Sequence, residues 1–314
     1  MRPERLGAMR AQKFAMGLSL AFSLTSSLSA AAPSPDESPR TSDELTQLYV
    51  AEVGYAGLTG LMVHDLAGRG SWASFAVPSL GVAALALGGT WQADREGALS
   101  LGQPQAIVTD AWLGAAIGVA WVWHFDAKSA EGEGWSPGAQ SGVVWAGATA
   151  GALIGALRYE LRPTPPGRAS LTGSLALWSG VGLGLLRGAL EADPELRDDA
   201  ASFGAALGLE LGVVAGSFVA RLLALEPSIG WVRAVDAGAV LGAGLAGGTY
   251  ALAAGARLDD RATLGVALGG LVAGSVAAGF IAPKLGLPNR VSFTVAPDFG
   301  LAPGAAGLSA QGLF

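Results

Sequence analysis

Phe203 to Gly216 reads FGAALGLELGVVAG, and whether that stretch is a strand or a helix decides the fold. Its odd positions are Phe203, Ala205, Leu207, Leu209, Leu211, Val213 and Ala215; its even positions are Gly204, Ala206, Gly208, Glu210, Gly212, Val214 and Gly216. Large apolar residues alternate with small ones, and the only charge stands among the small ones. Period two is the strand period, with one apolar face and one small, occasionally polar face. The same residues also form a helical glycine ladder, because Gly204, Gly208, Gly212 and Gly216 are four apart.

Working outward, the alternation recurs. In 109–125, Leu113, Ile117, Val119, Trp121, Trp123 and Phe125 oppose Asp110, Gly114, Ala116, Gly118, Ala120 and His124. Glycines also fall two apart, as at Gly180, Gly182 and Gly184, and residues two apart do not share a helix face. The charges obey the same parity: Glu52, His64, Asp110, His124, Arg158, Glu160, Glu210 and Asp236 all lie on the small-residue side. A lipid-facing charge at the midplane of a barrel wall costs about 2–4 kcal/mol, so a barrel keeps its charges on the inner face. Against this stand the length of the segments, their Ala and Leu content, ladders such as Gly147, Gly151 and Gly155, and the poor strand propensity of Ala and Gly.

Apolar segments run near 47–64, 72–91, 107–125, 140–160, 169–187, 203–223, 232–254 and 262–281, and shorter pieces at 290–297 and 304–314 bring the total to ten. They repeat in pairs. Pro104, Pro165, Pro227 and Pro288 are spaced 61 or 62 residues apart, and each is followed by a similar start. Tandem units that bury little alone indicate a closed or stacked architecture. Arg290 to Ala296, RVSFTVA, is β-branched and aromatic and reads as a strand.

The composition is that of a membrane protein. The 314 residues are 51% hydrophobic and 14% charged, with 48 glycines and a mean hydropathy of +0.45; soluble domains carry about 25% charged residues. No cysteine is present, which excludes disulfides and thiolate metal sites. Two histidines give little basis for a metal centre. A net charge of −6 provides no basic surface for nucleic acid. At the N-terminus, Arg2, Arg5, Arg10 and Lys13 precede an apolar run, Phe14 to Leu28, and the small residues Ser29, Ala30 and Ala31, the pattern of a cleaved secretory signal. The expected organisation is therefore a signal peptide over 1–31, a flexible periplasmic leader over 32–46 and a membrane domain over 47–314.

The chain ends Gly312-Leu313-Phe314, with Leu308 and Ala310 on the parity of the terminal aromatic. Together with the signal and the hairpin repeats, this end resembles bacterial outer-membrane β-barrel proteins in general and no specific family. The resemblance implies an outer-membrane location with both termini periplasmic. The fold expected here is an all-β, ten-stranded antiparallel transmembrane β-barrel built of hairpin repeats of about 61 residues. The alternative is an α-helical membrane bundle packed through Gly and Ala, with a C-terminal β-hairpin.

A non-enzymatic porin-like protein follows from the barrel reading, either a narrow passive channel or a structural scaffold. Glu52, Asp110, Arg158, Glu160, Glu210 and Asp236 are the charges expected to face its lumen, and their acidic excess would favour cations. The alternative fold gives a polytopic α-helical protein. An outer-membrane enzyme acting on lipid would need a serine converging on His64-Asp65 or on His124 and Asp126, and no G-x-S-x-G elbow exists. No catalytic, cofactor or metal residue is assigned. The nine tryptophans, clustered near segment ends, read as an interfacial girdle. Membrane lipid is the expected partner, nucleic acid is not, and nothing in the sequence names a protein partner.

Overall fold

A computed structural model describes residues 41–129, 134–222, 225–255, 259–287, 289–295 and 308–313, all within one compact unit, Ser38–Phe314. The expected signal peptide and most of the leader lie outside the described residues.

The ten-stranded barrel is not what forms. Eight helices occupy the eight long apolar segments: α1 Ser42–Leu66, α2 Ala73–Arg95, α3 Gln103–Lys128, α4 Pro137–Leu161, α5 Pro166–Leu190, α6 Arg197–Leu222, α7 Ile229–Ala254 and α8 Asp260–Ile281. The resemblance to outer-membrane barrels, and with it the porin-like reading, is overturned; the Gly/Ala-packed helical bundle is the correct alternative. All but α1 are long and apolar enough to cross a membrane. Among the described residues the strands are short and make one open sheet, β1 Leu225–Pro227, β2 Asn289–Val295 and β3 Leu308–Leu313, antiparallel in that order.

The period-two pattern misleads for a simple reason. A ladder at every fourth residue is also a ladder at even residues. The positions that distinguish the two readings are Ala206, Glu210 and Val214, which a strand would place beside the glycines and a helix places on other faces. In α6, Gly204, Gly208 and Gly212 press on the α5 backbone, Ala206 is buried in the cluster with Leu113 of α3, and Val214 is 71% exposed.

Three of the four repeated prolines mark helix starts, and Pro288 lies outside the described residues. Pro104 lies in the first turn of α3, Pro165 caps α5 ahead of Pro166, and Pro227 directly precedes the Ser228 cap of α7. A proline at these positions loses no intrahelical hydrogen bond. Other starts are capped by side chains: Thr41 with Glu44 in a capping box, Ser136, Ser228 and Asp259.

Consecutive helices pair as hairpins, α1–α2, α3–α4, α5–α6 and α7–α8, and the first helix of each hairpin packs on both helices of the next. The result is a stepwise array. Within the hairpins, backbones approach so closely that side chains do not fit. A Cβ on Gly151 would lie 2.0 Å from the Asp110 carbonyl oxygen; on Gly208, 2.3 Å from that of Ser179; on Gly242, 2.1 Å from that of Gly270. Small residues at such seams let dispersion and backbone contact drive association where lipid removes the hydrophobic advantage.

Glycines outside the seams are free of this constraint, and nothing lies within 4 Å of a Cβ built on Gly89 of α2. Gly151→Ala is therefore expected to lower stability by about 1–3 kcal/mol through overpacking, while Gly89→Ala leaves it unchanged or slightly raised through helix propensity. Unfolding of the detergent-solubilised variants, followed by the helical circular dichroism signal, compares the two.

Candidate functional site: polar contacts inside the helix array

With no barrel there is no barrel lumen for the six expected charges, and the structure distributes them over separate helix contacts. Glu52 of α1 accepts from the Thr90 hydroxyl of α2. Asp110 of α3 pairs with Arg158 of α4 at 3.1 Å. Asp236 of α7 accepts from Ser174 and, at 2.7 Å, from the Trp178 indole of α5. Glu210 of α6 accepts from the Trp121 indole of α3 at 2.9 Å, and Glu160 is exposed. Of the six, only Asp110 and Arg158 are brought together.

These contacts nevertheless form a pattern. Asp110, Ser174 and Asp236 each stand in the third turn of their helix, about 10 Å from its start. The three helices are the first members of successive hairpins and run the same way. A polar layer therefore lies towards one end of the array. Gln105 and Thr109, both buried, are bonded to each other at 3.1 Å in the same layer. Buried oxygens of Asp110 and Gln105 have no hydrogen-bond donor in the structure.

Closer to that end, Arg233 of α7 meets Asp43 of α1 at 3.1 Å, linking the first and last hairpins. Glu44, wholly buried, accepts from the backbone N–H of Gly102 at 2.7 Å and from Thr41, which locks α1 to the turn before α3. Burial pushes the Glu44 carboxyl above its ordinary 4.5, against the pull of these hydrogen bonds.

At the opposite end, α3, α5 and α6 enclose a pocket of about 270 Å³ lined by His124, Lys128, Arg187, Glu191, Asp199 and Phe203. His124 Nδ1 is 3.0 Å from Asp199 Oδ1 and 3.4 Å from Ser202 Oγ. The folded chain thus supplies the serine that no linear motif shows. Its geometry differs from a catalytic relay, which sets serine and acid on opposite ring nitrogens; here both lie on Nδ1, and Ser202 is fully buried. His124 fastens α3 to α6. The other histidine, His64, bonds Ser74 across the α1–α2 turn at 2.7 Å. Among the described residues no group of three or more His, Cys, Asp or Glu is placed to hold a metal.

Comparison with protein-family models, curated proteins and solved structures finds no match to this chain.

The functional reading therefore rests on the contacts themselves. Several of their residues carry no sequence signal of their own. Trp145 donates to Thr59 at 3.0 Å, Tyr55 and Thr149 bond at 2.7 Å, and Trp231 donates to the Gly279 carbonyl at 3.3 Å. Four of the tryptophans expected in a girdle, Trp121, Trp145, Trp178 and Trp231, are thus donors between helices. One signal was available: Ser174 and Asp236 are 62 residues apart, the repeat length, so they occupy matching positions in successive hairpins.

Removing one member of a buried ion pair strands the other. Asp110→Ala is expected to destabilise by about 3–5 kcal/mol, with Asp110→Leu/Arg158→Met recovering most of the loss; unfolding in detergent measures both. Glu44 gives a pH test. Its raised value means the folded state holds the proton to higher pH than the unfolded chain does. Its contribution is therefore most favourable below 4.5 and declines as pH rises from 4.5 through the raised value. Glu44→Gln is expected to flatten that decline when thermal midpoints of variant and parent are compared across the same pH range.

Proposed function

We propose that this polytopic α-helical membrane protein is non-enzymatic and acts as a structural scaffold in the bilayer, with membrane lipid as its immediate surroundings and no nucleic-acid partner. The supporting observation is where its intramembrane polar groups go. Ionisable side chains in membrane helices mark ion or substrate paths when they line a shared cavity. Here Asp110, Glu210 and Asp236 instead engage three different helix contacts, Asp110 within the α3–α4 hairpin and Glu210 and Asp236 between neighbouring hairpins. The His124–Asp199–Ser202 group supports the non-enzymatic reading, since both partners crowd one ring nitrogen.

The signal-like N-terminus supports entry through the export machinery. The outer-membrane assignment derived from the barrel reading and does not accompany the helical fold, whose long apolar helices suit a membrane spanned by helices.

The test is passive permeability. Purified protein reconstituted into liposomes loaded with small cations and a fluorescent ion indicator should release them no faster than protein-free liposomes. Rapid release, or discrete single-channel currents in planar bilayers, would replace the scaffold by a channel.

A further inference from the structure

Glu210 is a charged residue that the array leaves exposed. It is the fourteenth residue of the 26 in α6, so it lies at the middle of a candidate span. Its residue is exposed, and it stands among outward apolar side chains, Leu211 and Val214. Its recorded partner among the described residues is the neutral Trp121 indole, which supplies one hydrogen bond and no charge. Asp110, by contrast, has an arginine, and Asp236 has two donors. A mid-membrane carboxylate facing outward with one neutral donor is expensive unless something else covers it.

The surface beside it is open and apolar. α4 and α6 both pack on α3, leaving α3 as the floor between them. On the α4 side an open apolar hollow is lined by Trp135, Ala139, Gly142, Val143 and Ala146. A Cβ on Gly142 would meet nothing within 4 Å. From Trp135 a row of stacked rings leads back through Phe125, at 5.2 Å, to Trp121, at 5.8 Å from Phe125, and Trp121 holds Glu210. The hollow therefore connects to the carboxylate through aromatic side chains. Its small-residue wall is of the kind through which this chain packs its own helices.

We propose that the open apolar face of α4, joined to Glu210 through the Trp135–Phe125–Trp121 row, docks a transmembrane helix of another protein, carrying a lysine or arginine at mid-span, with Glu210 as its counter-charge. Charge complementarity selects the cation, and the small wall selects a helix over a flexible lipid chain. A second copy of this chain is a poor occupant: Arg158, Arg187 and Arg233 all lie within about a turn of a helix end, and no lysine or arginine occupies the centre of any described helix. The proposal rests on the scaffold reading and names the chemistry of what the scaffold holds.

The probe is a synthetic leucine-rich helix of about 20 residues with a single central lysine, compared with one whose central residue is leucine. The chain has no cysteine, so an Arg162→Cys variant takes one donor dye, and energy transfer to acceptor-labelled peptide in phosphatidylcholine vesicles reports docking. The lysine peptide should bind about tenfold more tightly than the leucine peptide, and Glu210→Gln should erase that difference. Gly142→Leu, which fills the wall and leaves the carboxylate, should weaken both peptides. Equal binding of the two peptides, or discrimination that survives Glu210→Gln, overturns the proposal; so does a Gly142→Leu variant that binds both peptides as the parent does. Cross-linked dimers of the peptide-free parent that vanish in Glu210→Gln would assign the site to a second copy and also overturn it. Ion release in the liposome assay would overturn the scaffold reading while leaving the lysine discrimination to be judged separately.

Discussion

Backbone-to-backbone approach is the interaction on which the array depends. In water, apolar faces are driven together by their removal from solvent. Between lipid tails that drive is absent, and helices associate through dispersion at short range and through polar contacts. The seams α3–α4, α5–α6 and α7–α8 are built for short range: Gly114 against Gly147 and Gly151, Gly180 against Gly208, Gly238 and Gly242 against Gly270 and Gly274. Each glycine costs helix propensity, about 1 kcal/mol relative to alanine in water. The close contact it permits is the compensation at the seam glycines.

Close approach within hairpins leaves the joints between hairpins to be made differently. There, tryptophan, serine, tyrosine and threonine side chains reach across: Trp178 and Ser174 to Asp236, Trp121 to Glu210, Trp145 to Thr59, Tyr55 to Thr149. A directional bond fixes the rotation of one hairpin on the next, which a smooth apolar contact leaves free. Short range holds the pairs, and hydrogen bonds set their order. Polar contacts do the same at the ends, with the Asp43–Arg233 ion pair at one end and His124 against Asp199 at the other.

Repetition makes this division of labour economical. One hairpin plan, opened by a proline and joined to the next by its first helix, is used again with local changes. Asp236 bonds to Ser174 at the matching position one repeat earlier. The first and last hairpins lack a neighbour on one side, and their outer helices show it. α2 has no buried residue and α8 has only Leu271, whereas α4 and α6, inside the array, have several.

The sequence by itself determined the segments, the repeat, the membrane character and the list of intramembrane charges. All eight long apolar segments become helices, and the prolines at 104, 165 and 227 stand at helix starts because a proline there loses no hydrogen bond. What the sequence left undecided was the period. Glycines at 204, 208, 212 and 216 satisfy two and four alike, and only the surroundings of Ala206, Glu210 and Val214 separate the readings. Parity also grouped six charges on one face, where helices disperse them among different neighbours. The partners of those charges, Ser174 and Trp178 for Asp236 and Trp121 for Glu210, were decided by tertiary structure alone. A hydrogen bond between residues 58 to 89 positions apart depends on how one hairpin is rotated against another, and no local pattern encodes that rotation.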